Sequence, residues 1–123
     1  MQDFEFAEGY ACYRPAAQGS IEECVAVVGQ GIVFARENRV GKLLIDTTQL
    51  TGFEMPTTWQ RFHIAEQLVL AAKSALVLSV VLRAEVIDRE KFGITVARNR
   101  GLFCEVFSSE AEALSWLLDP NAK

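Results

Sequence analysis

Apolar and polar positions run at two different periods along this chain. Phe4 and Phe6 alternate with acidic neighbours, and 10–14 forms a second short extended piece beyond Glu8 and Gly9. The start therefore reads as an antiparallel hairpin, ended by Pro15 and a loop to Gly19. The period then becomes helical. Ile21, Cys24, Val25, Val28, Ile32 and Ala35 share one stripe, Ser20 and Glu23 form a capping box ahead of it, and the helix ends near Asn38, before Gly41. Gly29 and Gly31 each cost this helix up to ~1 kcal/mol, and close packing on a sheet is the expected reason. Residues 43–46 form a short, uniformly apolar run that reads as a buried strand. Pro56 with Thr57 or Thr58 begins a second helix reaching about Lys73. The most hydrophobic strand spans 76–82, apolar on both faces and so expected to be central. Asp88 caps a short helix through Asn99, closed by Gly101. A last strand covers 103–107, and Ser109 with Glu112 caps a terminal helix that buries Ala113, Leu114, Leu117 and Trp116.

After the hairpin, strands and helices alternate in the order β-β-α-β-α-β-α-β-α. Right-handed crossovers then give an α/β fold with a mixed sheet, largely parallel in its second half, in one domain over 1–123. Composition narrows the function classes. Twelve Lys and Arg against sixteen Asp and Glu leave a net charge of −4, and the basic residues are scattered, which argues against nucleic acid. Cys12, Cys24 and Cys104 lie in apolar segments without CxxC spacing. Free thiols of that kind suit a reducing cytoplasm, and with one histidine in the chain no metal or cofactor is expected. The opening MQDFEF does not read as a signal peptide. Lys73 and Ser74 break the apolar stretch 68–82 into two elements, so no transmembrane segment is expected.

The segment 42–53 carries the most pointed chemistry. It delivers Asp46, Thr47 and Thr48 to the carboxyl end of a strand, where open α/β sheets hold their sites, and Arg83 ends the next strand on the same side. Asp46 and Arg83 are expected to face one crevice. An acid, a guanidinium and hydroxyls suit an anion; alternatively Asp46 caps the following loop while the threonines bond locally. Arg61 projects to the buried arc of the second helix, either bridging to Asp46 or meeting a ligand.

On that helix Phe62, Ile64, Ala65, Leu68, Val69 and Ala72 form the buried face, while Trp59 and Leu70 fall in the polar arc with His63. Trp59, His63 and Leu70 are thus an interface candidate for a dimer, a protein partner or peripheral membrane contact, unless Trp59 folds back over 52–55. His63 has no serine or cysteine partner in sequence, and no nucleophilic set assembles, so the chain is not expected to be an enzyme. Gly29-x-Gly31 lies inside a helix and is no dinucleotide signature. Arg98 and Arg100 suit a helix carboxyl end.

The element order, together with LLIDTTQLTGF, the Pro-Thr helix start, FGITVARNRG and VFSSEAEALSWL, resembles the SpoIIAA-like (STAS) family over nearly the whole chain. The resemblance is to a bacterial group of undefined biochemical role, related by fold to anti-sigma factor antagonists and to lipid-exchange modules. The antagonists carry a phosphorylatable serine in an Asp-Ser-Ser-Gly type segment at the start of the second main helix. Thr57 and Thr58 hold the nearest equivalent region here, without that motif, so the resemblance marks them for phosphorylation. The expected function is a regulatory or binding module holding an apolar or anionic ligand at the strand ends. The alternatives are a homodimeric scaffold or a threonine phospho-switch.

Overall fold

Strand β1 (Phe4–Ala7) turns through Gly9, at φ +84°, into β2 (Tyr10–Tyr13), and the two pair antiparallel. The chain then runs through β3 (Ala17–Gln18), α1 (Ile21–Glu37), β4 (Lys42–Asp46), β5 (Leu50–Thr51) and α2 (Thr58–Ala72). It continues with β6 (Val77–Val81), a 3-10 turn at Ala84–Val86, α3 (Phe92–Asn99), β7 (Cys104–Phe107) and α4 (Glu110–Leu118). This computed structural model describes residues 1–122. The main sheet has the order β1-β2-β4-β6-β7, with β2, β4, β6 and β7 parallel. The expected α/β architecture, with an amino-terminal hairpin and a largely parallel sheet, is therefore the observed one.

Alternation along the strands divides two cores. Leu43 and Ile45 of β4, with Leu78 and Val80 of β6, pack under α1, α2 and α3. Cys12, Leu44 and Val81 point the other way and are covered by Ala113 and Leu117 of α4, with Leu114 and Trp116 half-buried at its margin. Strand β6, expected to be central, is interior with both faces covered, and β4 is the middle strand. Ser79 is fully buried on β6, and its hydroxyl has no hydrogen-bond partner among the described residues.

Local chemistry sets the element ends. Ser20 and Glu23 exchange both bonds of a capping box, and Thr57 and Gln60 do the same for α2. Lys73 and Ser74 both adopt positive φ and end α2. Ser109 Oγ accepts the Glu112 amide proton, but the Glu112 carboxylate takes the Ser109 hydroxyl rather than the backbone N–H. Gly31 behaves as expected: a Cβ there would lie 2.3 Å from the Tyr13 ring. Gly29 does not, since a Cβ there meets nothing within 4 Å; it faces an open groove beside Phe34 and Ala71. The parallel pair β3–β5 and the 3-10 turn carry no signal in the sequence, being too short to set up a period. No helix among the described residues is long and apolar enough to cross a membrane.

Candidate functional site: an apolar cavity with a polar mouth

Between the carboxyl half of the sheet and the amino-terminal turns of α1 and α2 lies a cavity of about 170 Å³. Leu78, Val80 and Leu82 form its floor with Cys104 and Val106. Cys24, Val25 and Val28 of α1, Ile64, Ala65 and Leu68 of α2, and Ile94 and Ala97 of α3 form its sides. Phe53, Pro56 and Val86 come from the connecting loops, and Thr47, Arg61, Asp88 and Lys91 supply the polar groups. The cavity explains a departure from the periodicity of α2. Of the face expected to be buried, only Ala65 and Ala72 are fully so; Phe62, Ile64, Leu68 and Val69 are half-buried. The helix leans on α1 and α3 and stands off the sheet, leaving Ile64 and Leu68 beside a void.

The polar groups are committed to very different degrees. Thr47 Oγ1 donates to the Val81 carbonyl at 2.8 Å. Asp88 accepts from the Phe92 and Glu90 amides through its two oxygens, and these bonds, with help from Arg61, hold its pKa below the usual carboxylate range. Lys91 Nζ donates to Glu105 Oε1 at 3.1 Å. Arg83 pairs with Glu85 at 3.4 Å, and its guanidinium lies over the Phe53 ring, 5.7 Å from the centroid. Arg61 donates to Met55 Sδ at 3.4 Å, and no carboxylate among the described residues forms an ion pair with it. The wall thiols are protonated at neutral pH: burial raises Cys24, and raises Cys104 to about 11.

Asp46 belongs to neither the mouth nor Arg61. Following Ile45 on the strand, it turns to the α4 side, where its Oδ1 accepts the Thr48 amide at 2.9 Å and the Thr48 hydroxyl at 2.7 Å. Nearby, Arg14 binds Glu110 through two nitrogens, at 2.7 and 2.8 Å. The hydrogen bonds from Arg14 lower the Glu110 pKa to about 2. The expected Arg61–Asp46 bridge is thus not formed, and Asp46 and Arg83 do not share a crevice, because the pleat sends Asp46 to the opposite face. Of the five expected ligand residues, Thr47 and Arg61 line the cavity, Arg83 reaches its margin over Phe53, and Asp46 and Thr48 are elsewhere. Asp88 and Lys91 join the rim without having been expected there. The local sequence marks Asp88 only as a helix cap, whereas α3 begins at Phe92 with Lys91 in the cap position and Asp88 accepting the Phe92 amide from the preceding turn; nothing in the sequence shows that this turn lies beside the cavity.

Outside the mouth, Trp59 is 69% exposed and stacks on Phe62 with ring centroids 5.6 Å apart, instead of folding over 52–55. His63 meets the Trp59 ring edge-on and approaches Glu66 at 3.6 Å. Leu70, 72% exposed, lies roughly 16 Å further along the same helix side. The Thr57 hydroxyl is occupied as the α2 cap, accepting from the Gln60 amide, while Thr58 is exposed in the first turn.

Fold and site together define an α/β domain with a mixed sheet and a ligand-sized apolar cavity at the carboxyl ends of its parallel strands. Comparison with family models, curated proteins and solved structures finds no match.

Proposed function

We propose that this chain is a non-enzymatic binding module of the SpoIIAA-like class, acting in a reducing cytoplasm, that holds a small apolar or anionic ligand in the cavity. The observation that carries this reading is the cavity itself, with half-buried Ile64, Leu68 and Ile94 around it. Apolar voids of about 150 Å³ take up benzene, so 170 Å³ suits one ring. The wall offers shape and apolar contact rather than a nucleophile with its base. Its thiols are protonated, the Thr47 hydroxyl is committed to Val81, and His63 lies on the outer side of α2. Three buried free cysteines support the reducing compartment, and the element order supports the family.

Titration with toluene, followed by methyl resonances in NMR, is expected to shift Ile64, Leu68 and Ile94 saturably. Ala65→Leu fills the void from α2; it is expected to raise stability by about 1 kcal/mol and to abolish those shifts. Wild-type protein without saturable shifts at these methyls defeats the reading.

The exposed Trp59–Phe62 stack favours a second reading, a homodimer through the outer side of α2. Trp59→Asp is then expected to convert dimer to monomer in sedimentation; an unchanged assembly rules out this interface.

A further inference from the structure

The charges at the cavity mouth differ in how far the protein itself satisfies them. Asp88 spends one oxygen on the Phe92 amide at the start of α3 and the other on the Glu90 amide in the turn before it, and Lys91 is held by Glu105. Arg61 has the Met55 thioether, a weak acceptor, and no ion pair among the described residues. A guanidinium presents five N–H donors in a planar fork, and a carboxylate is the acceptor that matches it with two parallel bonds. Behind Arg61 the wall is apolar, with room for one ring. We infer that the cavity takes a small monocarboxylate, its apolar body the size of one ring or a short acyl chain, with the carboxylate held by Arg61 at the mouth.

Ligand charge is limited to one by the same groups. Asp88 lies close enough to Arg61 to feel its field, so a second negative charge on the ligand would face a fixed carboxylate. A phosphate monoester is therefore disfavoured, and so is a cation, which would meet the Arg61 guanidinium. This inference rests on the reading of the cavity as a ligand site, and the toluene titration tests that reading separately.

The experiment compares phenylacetate, phenylacetamide, phenyl phosphate and 2-phenylethylamine by calorimetry and NMR on the full chain. Phenylacetate is expected to bind about tenfold more tightly than phenylacetamide, the scale of one charged hydrogen-bond pair. Phenyl phosphate and the amine are expected to bind more weakly than phenylacetate. Arg61→Gln should erase the preference, and saturable toluene shifts at the Ile64, Leu68 and Ile94 methyls report that the variant is folded. Lys91→Gln should retain the preference, since Lys91 is already paired. Equal or tighter binding of phenylacetamide, phenyl phosphate or the amine overturns the inference, as does a preference that survives Arg61→Gln. If toluene binds and phenylacetate does not, the monocarboxylate falls and the cavity reading stands; if neither binds, both fall.

Discussion

Under α4 the sheet is sealed: Leu44 and Val81 are 2% exposed, and Ala113 and Leu117 are 0% exposed. Across the same strands Ile64, Leu68 and Ile94 remain half-buried around about 170 Å³ of space. The difference lies in how the covering helices rest. Helix α4 lies directly on β4, β6 and β7 and inserts Ala113 and Leu117 between their side chains. Helix α2 is supported by its neighbours α1 and α3, so its inner residues need not reach the sheet. One face thus carries stability with little room to change, and the other gives up packing for a shaped space.

Truncation on each side separates the two most strongly. Leu117→Ala removes a fully buried side chain from a filled face and is expected to cost about 3 kcal/mol. Ile64→Ala enlarges a space already present beside a half-exposed side chain, and is expected to cost less than about 1.5 kcal/mol. Urea denaturation of both variants measures the difference, and equal losses would break the contrast.

Ser79 sharpens it at a smaller scale. Its buried hydroxyl, unpaired among the described residues, lies in the strand between Val77 and Val81 on the α4 side. Removing an unsatisfied polar group costs nothing in lost bonds, so Ser79→Ala is expected to gain about 1 kcal/mol. A loss of stability on denaturation would show that the hydroxyl supports the sealed face.

Much of this division is legible in the amino-acid pattern. The period of α1, the Ser20–Glu23 box and the doubly apolar β6 each depend on neighbours within a few residues, and each occurs where expected. The expected pairing of Asp46 with Arg61 fails for a definite reason. Sequence locates a residue at a strand end, but which face it takes depends on strand parity in the assembled sheet, and Asp46 is one residue beyond Ile45. Thr47, one residue further, turns back to the cavity. The cavity is equally hidden, because periodicity shows which side of α2 is apolar and not how far that side stands from the sheet. Asp88 and Lys91 come to the mouth through the loop from β6 to α3, whose path no periodicity records.

Charge makes the smallest distinction between the faces. The Glu110 pKa falls from 4.5 to about 2, chiefly through its hydrogen bond with Arg14. A carboxylate depressed in the folded state contributes its stability fully above its unfolded pKa and loses it as pH falls through the folded value. The pair on the α4 side is therefore expected to weaken the protein between about pH 4.5 and about pH 2. Arg14 and Glu110 side chains are 44% and 35% exposed, so solvent screening keeps the effect under about 1 kcal/mol. Asp88 and Glu23 are depressed as well, and their contribution is removed by comparing wild type with Arg14→Gln at pH 6 and pH 3. Wild type should lose more on acidification than the variant, while toluene binding at pH 6 should be the same in both, since Arg14 acts on the face away from the cavity. Identical acid losses would mean that the pair adds nothing to the sealed face. A change in toluene binding would mean that the two faces are coupled through the sheet.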